Sequence, residues 1–94
     1  MDDQQRTRLT ASISGTVQAV GFRYYTREKA RQLALTGVAS NRTDGTVLIV
    51  AEGPETAIRS LVEWLNSAGA PGRVDNVIET YSVPTGEFAD FRTE

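Results

Sequence analysis

The chain lacks cysteine and histidine altogether, and its basic set is nine arginines against a single lysine, Lys29, in 94 residues. Without cysteine there is no disulfide framework, and without either residue there is no Cys/His zinc or haem site. Histidine acid–base catalysis and cysteine nucleophiles, the commonest catalytic machinery, are excluded as well. Long apolar runs are also missing. The longest, Val47-Leu48-Ile49-Val50-Ala51, has the length of a strand and not of a bilayer span. The chain starts Met1-Asp2-Asp3-Gln4-Gln5-Arg6, with neither the basic start nor the apolar centre of a signal peptide, so a cytoplasmic location is expected. A net charge of −2 and a pI near 5.1 argue against a surface that coats nucleic acid. Ninety-four residues fit one domain, expected over 7–94 with the first six residues loose. What is abundant is arginine, whose planar fork suits oxyanions.

Periodicity divides the chain into six main elements. Leu9, Ala11 and Ile13 alternate with polar residues and mark a half-buried strand that stops at Gly15. Phe22 to Leu35 carries good helix formers, with Phe22, Thr26, Ala30 and Leu33 on one face and Gly37 placed to cap its end. Val38–Arg42 and Thr46–Glu52 read as strands joined through Asp44-Gly45, a hairpin signal. Gly53-Pro54-Glu55 opens a second helix, with Gly at the cap and Pro in the first turn. Ile58, Leu61, Val62 and Leu65 give it a clear apolar face. Val74–Val83 is a further strand, with an irregularity expected at the adjacent Val77 and Ile78. Phe88 and Phe91 are both expected on the core, with room for a short last strand. The order βαββαβ predicts an α+β, ferredoxin-like fold, an antiparallel sheet with two helices on one face. Such a fold hosts many activities and decides none of them.

Chemistry concentrates in the stretch from Gly15 to Arg23. It contains no proline, so each residue can present a main-chain N–H, and successive amides before a helix terminus form a nest for an anion. Arg23 sits in the first helical turn, where a cation opposes the helix dipole; clamping a phosphate gives it a reason to be there. Arg27, one turn on, reinforces the positive field. A glycine-bounded turn followed by a solvated arginine reads the same way from local physics. Asn41, before Arg42-Thr43-Asp44-Gly45, is likewise explained by turn chemistry alone. In a split βαβ sheet, however, the first two strands run parallel around the third, so their C-terminal ends share one edge. The loop and Asn41 then meet.

These residues carry a resemblance to the acylphosphatase family. Gly15, Val17, Gln18, Val20, Phe22 and Arg23 match its motif G-x-V-Q-G-V-x-F-R. Gly37, Asn41, Gly45, Val47 and Gly53 match a second motif at the same spacing. Three positions depart: Ala19 stands where glycine is usual, Val38 where an aromatic is usual, and Ser40 where a longer side chain is common. The resemblance implies hydrolysis of the mixed anhydride between a carboxylic acid and phosphate, with Arg23 and Asn41 catalytic. It also implies that the backbone amides of Gln18, Ala19, Val20, Gly21, Phe22 and Arg23 cradle the phosphate.

The missing histidine fits this chemistry. The leaving group is a carboxylate whose conjugate acid resembles a Glu side chain, pKa about 4.3, and it departs without a general acid. Phosphoryl transfer through a loose transition state asks mainly for positioning and charge stabilisation. No cofactor is expected, and no metal, since Asp44, Glu52 and Glu55 lack ligand spacing. A monomer acting on small-molecule acyl phosphates, with no nucleic acid or membrane partner, is the expectation. The competing reading is a non-catalytic anion-binding or regulatory module. An RNA-binding sheet is disfavoured because no aromatic occurs on the first or third strand.

Overall fold

The computed structural model describes residues 5–18, 21–67, 70 and 72–94. The alternating segment becomes β1 (Arg6–Thr16), with Leu9, Ala11 and Ile13 fully buried. It starts earlier than the alternation marks, because Arg6, assigned to the loose leader, pairs with Pro54. The apolar face of α1 (Phe22–Gln32) consists of Phe22, Thr26 and Ala30. The helix ends sooner than its composition predicts, and not at Gly37. Leu35 N–H reaches back 2.9 Å to the Ala30 carbonyl, and Ala34 takes the left-handed position at φ 60°. An alanine there costs roughly 1 kcal/mol, offset by the insertion of Leu35, only 3% exposed, into the core. Gly37 serves the sheet instead: a Cβ on it would lie 1.8 Å from the Val50 carbonyl oxygen.

The hairpin forms from β2 (Thr36–Asn41) and β3 (Val47–Pro54). Pro54 is the last residue of β3 and caps α2 (Glu55–Leu65) from an extended conformation, rather than lying in its first turn. Ile58, Leu61 and Leu65 are buried as the spacing predicts. Across the helix layer the Phe22 and Trp64 rings stack at 6.4 Å. In β4 (Arg73–Ser82) the irregularity falls at Asp75, between the pairs Ser14–Asn76 and Gly15–Val74, rather than at Val77-Ile78. A short β5 (Phe91–Thr93) completes the sheet.

The strand order is β4-β1-β3-β2-β5. Two helices pack on a five-stranded, ferredoxin-like sheet. The expected antiparallel pairing holds for four strands and fails at one edge, where β5 runs parallel to β2. The cause is topological. β4 and β5 occupy opposite edges, so residues 83–90 must cross the sheet and arrive travelling in the direction of β2.

That crossing segment lies on the face without helices and is held by Glu52, which is 2% exposed. Its carboxylate accepts hydrogen bonds from Arg8 Nη1 at 2.9 Å, the Thr85 amide at 2.9 Å, the Thr85 hydroxyl at 3.1 Å and the Gly86 amide at 3.0 Å. Phe88 does not join the core as the composition predicts. Its half-buried ring lies between the guanidiniums of Arg8 and Arg92, 5.7 and 5.5 Å from its centroid. Phe91 is fully buried.

Burial pushes the Glu52 carboxyl toward neutrality, but the donors from Thr85, Gly86 and Arg8 outweigh it and hold the pKa below the ordinary 4.5. A depressed folded value gives stability that is complete above the unfolded pKa and lost as pH falls through the lower folded one. Glu52→Gln is expected to cost about 2–3 kcal/mol at pH 7. The wild-type and variant urea midpoints should converge as pH drops below the carboxylate range; a constant gap at all pH values would contradict this assignment.

Candidate active site

Two apolar anchors fix the ends of the loop after β1: Val17 at 1% exposure and Phe22 at 0%. Gly21 turns the chain into α1 with a left-handed backbone at φ 75°, and its carbonyl accepts the first helical hydrogen bond from Tyr25 at 3.1 Å. A side chain would be strained at that φ. The N–H groups of Phe22 and Arg23 follow directly, at a helix start with no acidic residue in its first turn. Such N–H groups lack intrahelical partners and face an incoming anion. Ala19 and Val20, also assigned to the cradle, lie outside the described residues. Gln18, Gly21, Phe22 and Arg23 are described.

Topology brings the loop to Asn41. Ile13 and Asn41 both pair with Val47, from opposite sides. The exposed Asn41 ends β2, and the turn after it is tightly built. Asp44 accepts from the Thr46 hydroxyl at 2.6 Å and the Thr46 amide at 3.0 Å, which hold its carboxyl below its usual range. Arg42 N–H closes the turn on the Thr46 carbonyl at 2.9 Å.

Gln18 has a role beyond its main-chain amide. Its side-chain Nε2 donates to the Arg42 carbonyl at 2.7 Å and the Thr46 carbonyl at 2.9 Å, tying the loop to the β2–β3 turn. The sequence singles out Gln18 by its place in the matched motif and for its main-chain amide; nothing in the local pattern announces the role of its side chain.

Arg23 is half-buried, and its Nη1 donates to the main-chain oxygen of Glu94. The same oxygen lies 3.4 Å from the Asn41 N–H, while Glu94 N–H donates to Ala39 at 2.9 Å. Thus α1, β2 and the residue after β5 converge on one oxygen. Glu94 was not singled out by the sequence, because its place follows from an edge pairing that no local pattern announces. Arg27 turns onto the Tyr24 ring, 5.1 Å from its centroid, with Nε 3.4 Å from the Glu28 carboxylate.

A hollow of about 170 Å³ opens between Gln18, Gly21, Arg23, Tyr24, Arg27 and Thr93. At ~30 Å³ per water it has room for a small anion. A larger hollow of about 550 Å³ lies between the end of α2 and Arg73–Val77. It offers no helix start facing inward, so volume alone does not mark the site.

The acylphosphatase family model matches residues 9–93. The chain is 52% identical over 90 residues to an acylphosphatase of Arthrobacter, covering 96% of this chain and 83% of that protein. Against the acylphosphatase of Thermobifida fusca it is 49% identical over 87 residues, covering 93% and 96%. The crystal structure of the Bacillus subtilis acylphosphatase superposes with a TM-score of 0.87 at 36% identity, covering 94% of this chain and 98% of that one. The chain belongs to the acylphosphatase family. Its activity is therefore the hydrolysis of acyl phosphates, and the site must be read as one serving an acylphosphatase.

For this acylphosphatase the Gln18 tie is open to a direct measurement. Gln18→Ala removes two hydrogen bonds and should lower stability by about 1–2 kcal/mol in urea unfolding. An unchanged midpoint would remove the tie from the stability of the loop.

Proposed function

We propose that this acylphosphatase binds the phosphoryl group of its substrate on Arg23 and the main-chain amides from Gln18 to Arg23, and that Asn41 orients the attacking water. The observation that supports this reading is the meeting of the Arg23 guanidinium and the Asn41 main-chain N–H on the Glu94 oxygen, which puts the last residue of β2 beside Arg23 at the start of α1. A guanidinium has five N–H donors. One is committed to Glu94, which fixes the plane of the group and leaves the others for phosphoryl oxygens. These donors face negative charge as it spreads over the equatorial oxygens, and they need no reorganisation. Water enters in line, opposite the leaving carboxylate. Asn41 is too weak a base to take the water's proton, so a phosphoryl oxygen accepts it. The carboxylate departs unprotonated, no phosphoenzyme forms, and the reaction needs no metal.

The same reading makes the protein a single domain, expected over 7–94 and reaching back to Arg6 in β1, working as a cytoplasmic monomer on small acyl phosphates without a nucleic-acid or membrane partner. The acidic composition supports the absence of nucleic acid. Among the described residues no helix is long and apolar enough to cross a membrane.

Benzoyl phosphate hydrolysis in the presence of EDTA tests the metal-independent mechanism; phosphate binding without turnover would instead favour a binding module. The division of labour is tested by mutation. Arg23→Ala should raise KM and lower kcat, with a loss on the order of 10²–10³ in kcat. Asn41→Ala should lower kcat by about 10² or more with KM little changed. Full turnover in Asn41→Ala would take that residue out of the mechanism.

A further inference from the structure

Glu52 is buried, ionised and remote from the chemistry just described. It sits level with Thr36 at the start of β2, whereas Asn41 ends that strand. Five residues at about 3.3 Å each separate the two positions, roughly 17 Å. A buried ion pair adds little net stability over apolar packing, and its best-attested use is to fix register. Here the register in question is that of β5. This strand has three residues and pairs only with Gly37, Val38 and Ala39. So short an edge strand has one apolar anchor of its own, the fully buried Phe91, and few ladder pairs to fix its alignment.

What precedes β5 therefore shares in placing it. The crossing segment is gripped by Glu52 at Thr85 and Gly86, and five residues later β5 begins. Two further ties follow: Gly37 N–H to the Asp90 carbonyl at 3.0 Å, and the ion pair of Arg31 with Asp90 at 2.9 Å. The ion pair is exposed on both sides and contributes little. Glu52 is the deeply buried member of the set. Beyond β5 stands Glu94, whose oxygen receives Arg23.

We propose that Glu52 is a positioning residue for phosphate binding: by gripping Thr85 and Gly86 it sets β5 on β2 and so delivers the Glu94 oxygen to Arg23. This rests on the role assigned to Arg23 above. When the grip is released, β5 frays and the guanidinium loses its fixed partner. It must then be ordered by the phosphate itself, and affinity falls. The chemical step, once phosphate is seated, is unaltered.

The test measures inorganic phosphate affinity by calorimetry, alongside benzoyl phosphate kinetics, for Glu52→Gln and Thr85→Ala. Circular dichroism confirms that each variant is folded at the assay temperature. Glu52→Gln should weaken phosphate binding and raise KM by about three- to tenfold, the scale of ordering one long side chain. Thr85→Ala, which removes one hydroxyl from the same cluster, should shift both in the same direction by less. In both, kcat should stay within about twofold of wild type, since only seating is changed. The effect must also vanish in an Arg23→Ala background, because the grip acts through Arg23. Unchanged phosphate affinity in folded Glu52→Gln overturns the proposal, as does an equal loss with and without Arg23. If that variant does not fold, an unchanged affinity in Thr85→Ala overturns it. Wild-type protein that binds phosphate without hydrolysing benzoyl phosphate overturns the catalytic reading instead, and the calorimetric comparison still decides the role of Glu52.

Discussion

Val47 makes ladder pairs with Ile13 on one side and Asn41 on the other, and the rest of the site depends on that double pairing. Because β3 lies between two strands running the opposite way, Ile13 near the end of β1 and Asn41 at the end of β2 are level and about 10 Å apart, two strand spacings. The loop that leaves β1 after Thr16, three residues past Ile13, therefore opens on the side of Asn41. A one-residue slip on either side would turn Asn41 to the other face of the sheet. Register is protected by burial, since Val47, Ile49 and Ala51 are at 0% exposure beneath the helices, as are Leu9, Ala11 and Ile13. The hydrophobic core thus does chemical work at a distance: it fixes where two polar groups meet.

Electrostatics then works against the average composition. A chain of net charge −2 builds a local positive site by leaving acids out of the first turn of α1 and placing Arg23 there. A cation at that end is disfavoured by the dipole, and the Glu94 oxygen offsets part of the cost while the site is empty. In the proposed mechanism an arriving phosphate meets the N–H groups of the helix start and a guanidinium already held in place. This preorganisation suits a reaction whose leaving group needs no proton. It also explains why the absence of histidine and cysteine is compatible with catalysis.

Features carried by local pattern were legible in advance: the buried face of α2, the hairpin at Asp44-Gly45, the buried alternation of β1, and three of the four expected residues of the α1 face, with Leu33 falling at the cap beyond the helix. Features settled by long-range competition were not. Gly37 looks like a helix cap because glycine usually is one, yet the close approach of Val50 claims it for the sheet, and Ala34 takes the left-handed turn. Phe88 looks like core because phenylalanine usually is, yet two arginines from distant strands hold it on the open face. In the sequence Glu52 is only the last residue of an expected strand, with no ligand spacing to single it out. Its burial exists only once residues 83–90 cross over it, 33 and 34 residues further along the chain. The parallel direction of β5 follows from the same crossing.

The two faces of the sheet accordingly do different things. Under the helices, apolar packing supplies stability, and even the buried Thr26 hydroxyl of α1 makes no hydrogen bond there. On the open face, the only deeply buried carboxylate among the described residues meets an arginine, a hydroxyl and two amides. Apolar contacts there would hold the crossing segment as firmly but would let it slide, because hydrophobic burial has no direction. Hydrogen bonds to a charged acceptor are directional and allow one arrangement. A segment that must end with one oxygen beside one guanidinium needs that second property more than it needs free energy. The polar cluster lies where the chain begins its last approach to the site, and there an error of one residue would be carried the length of β5.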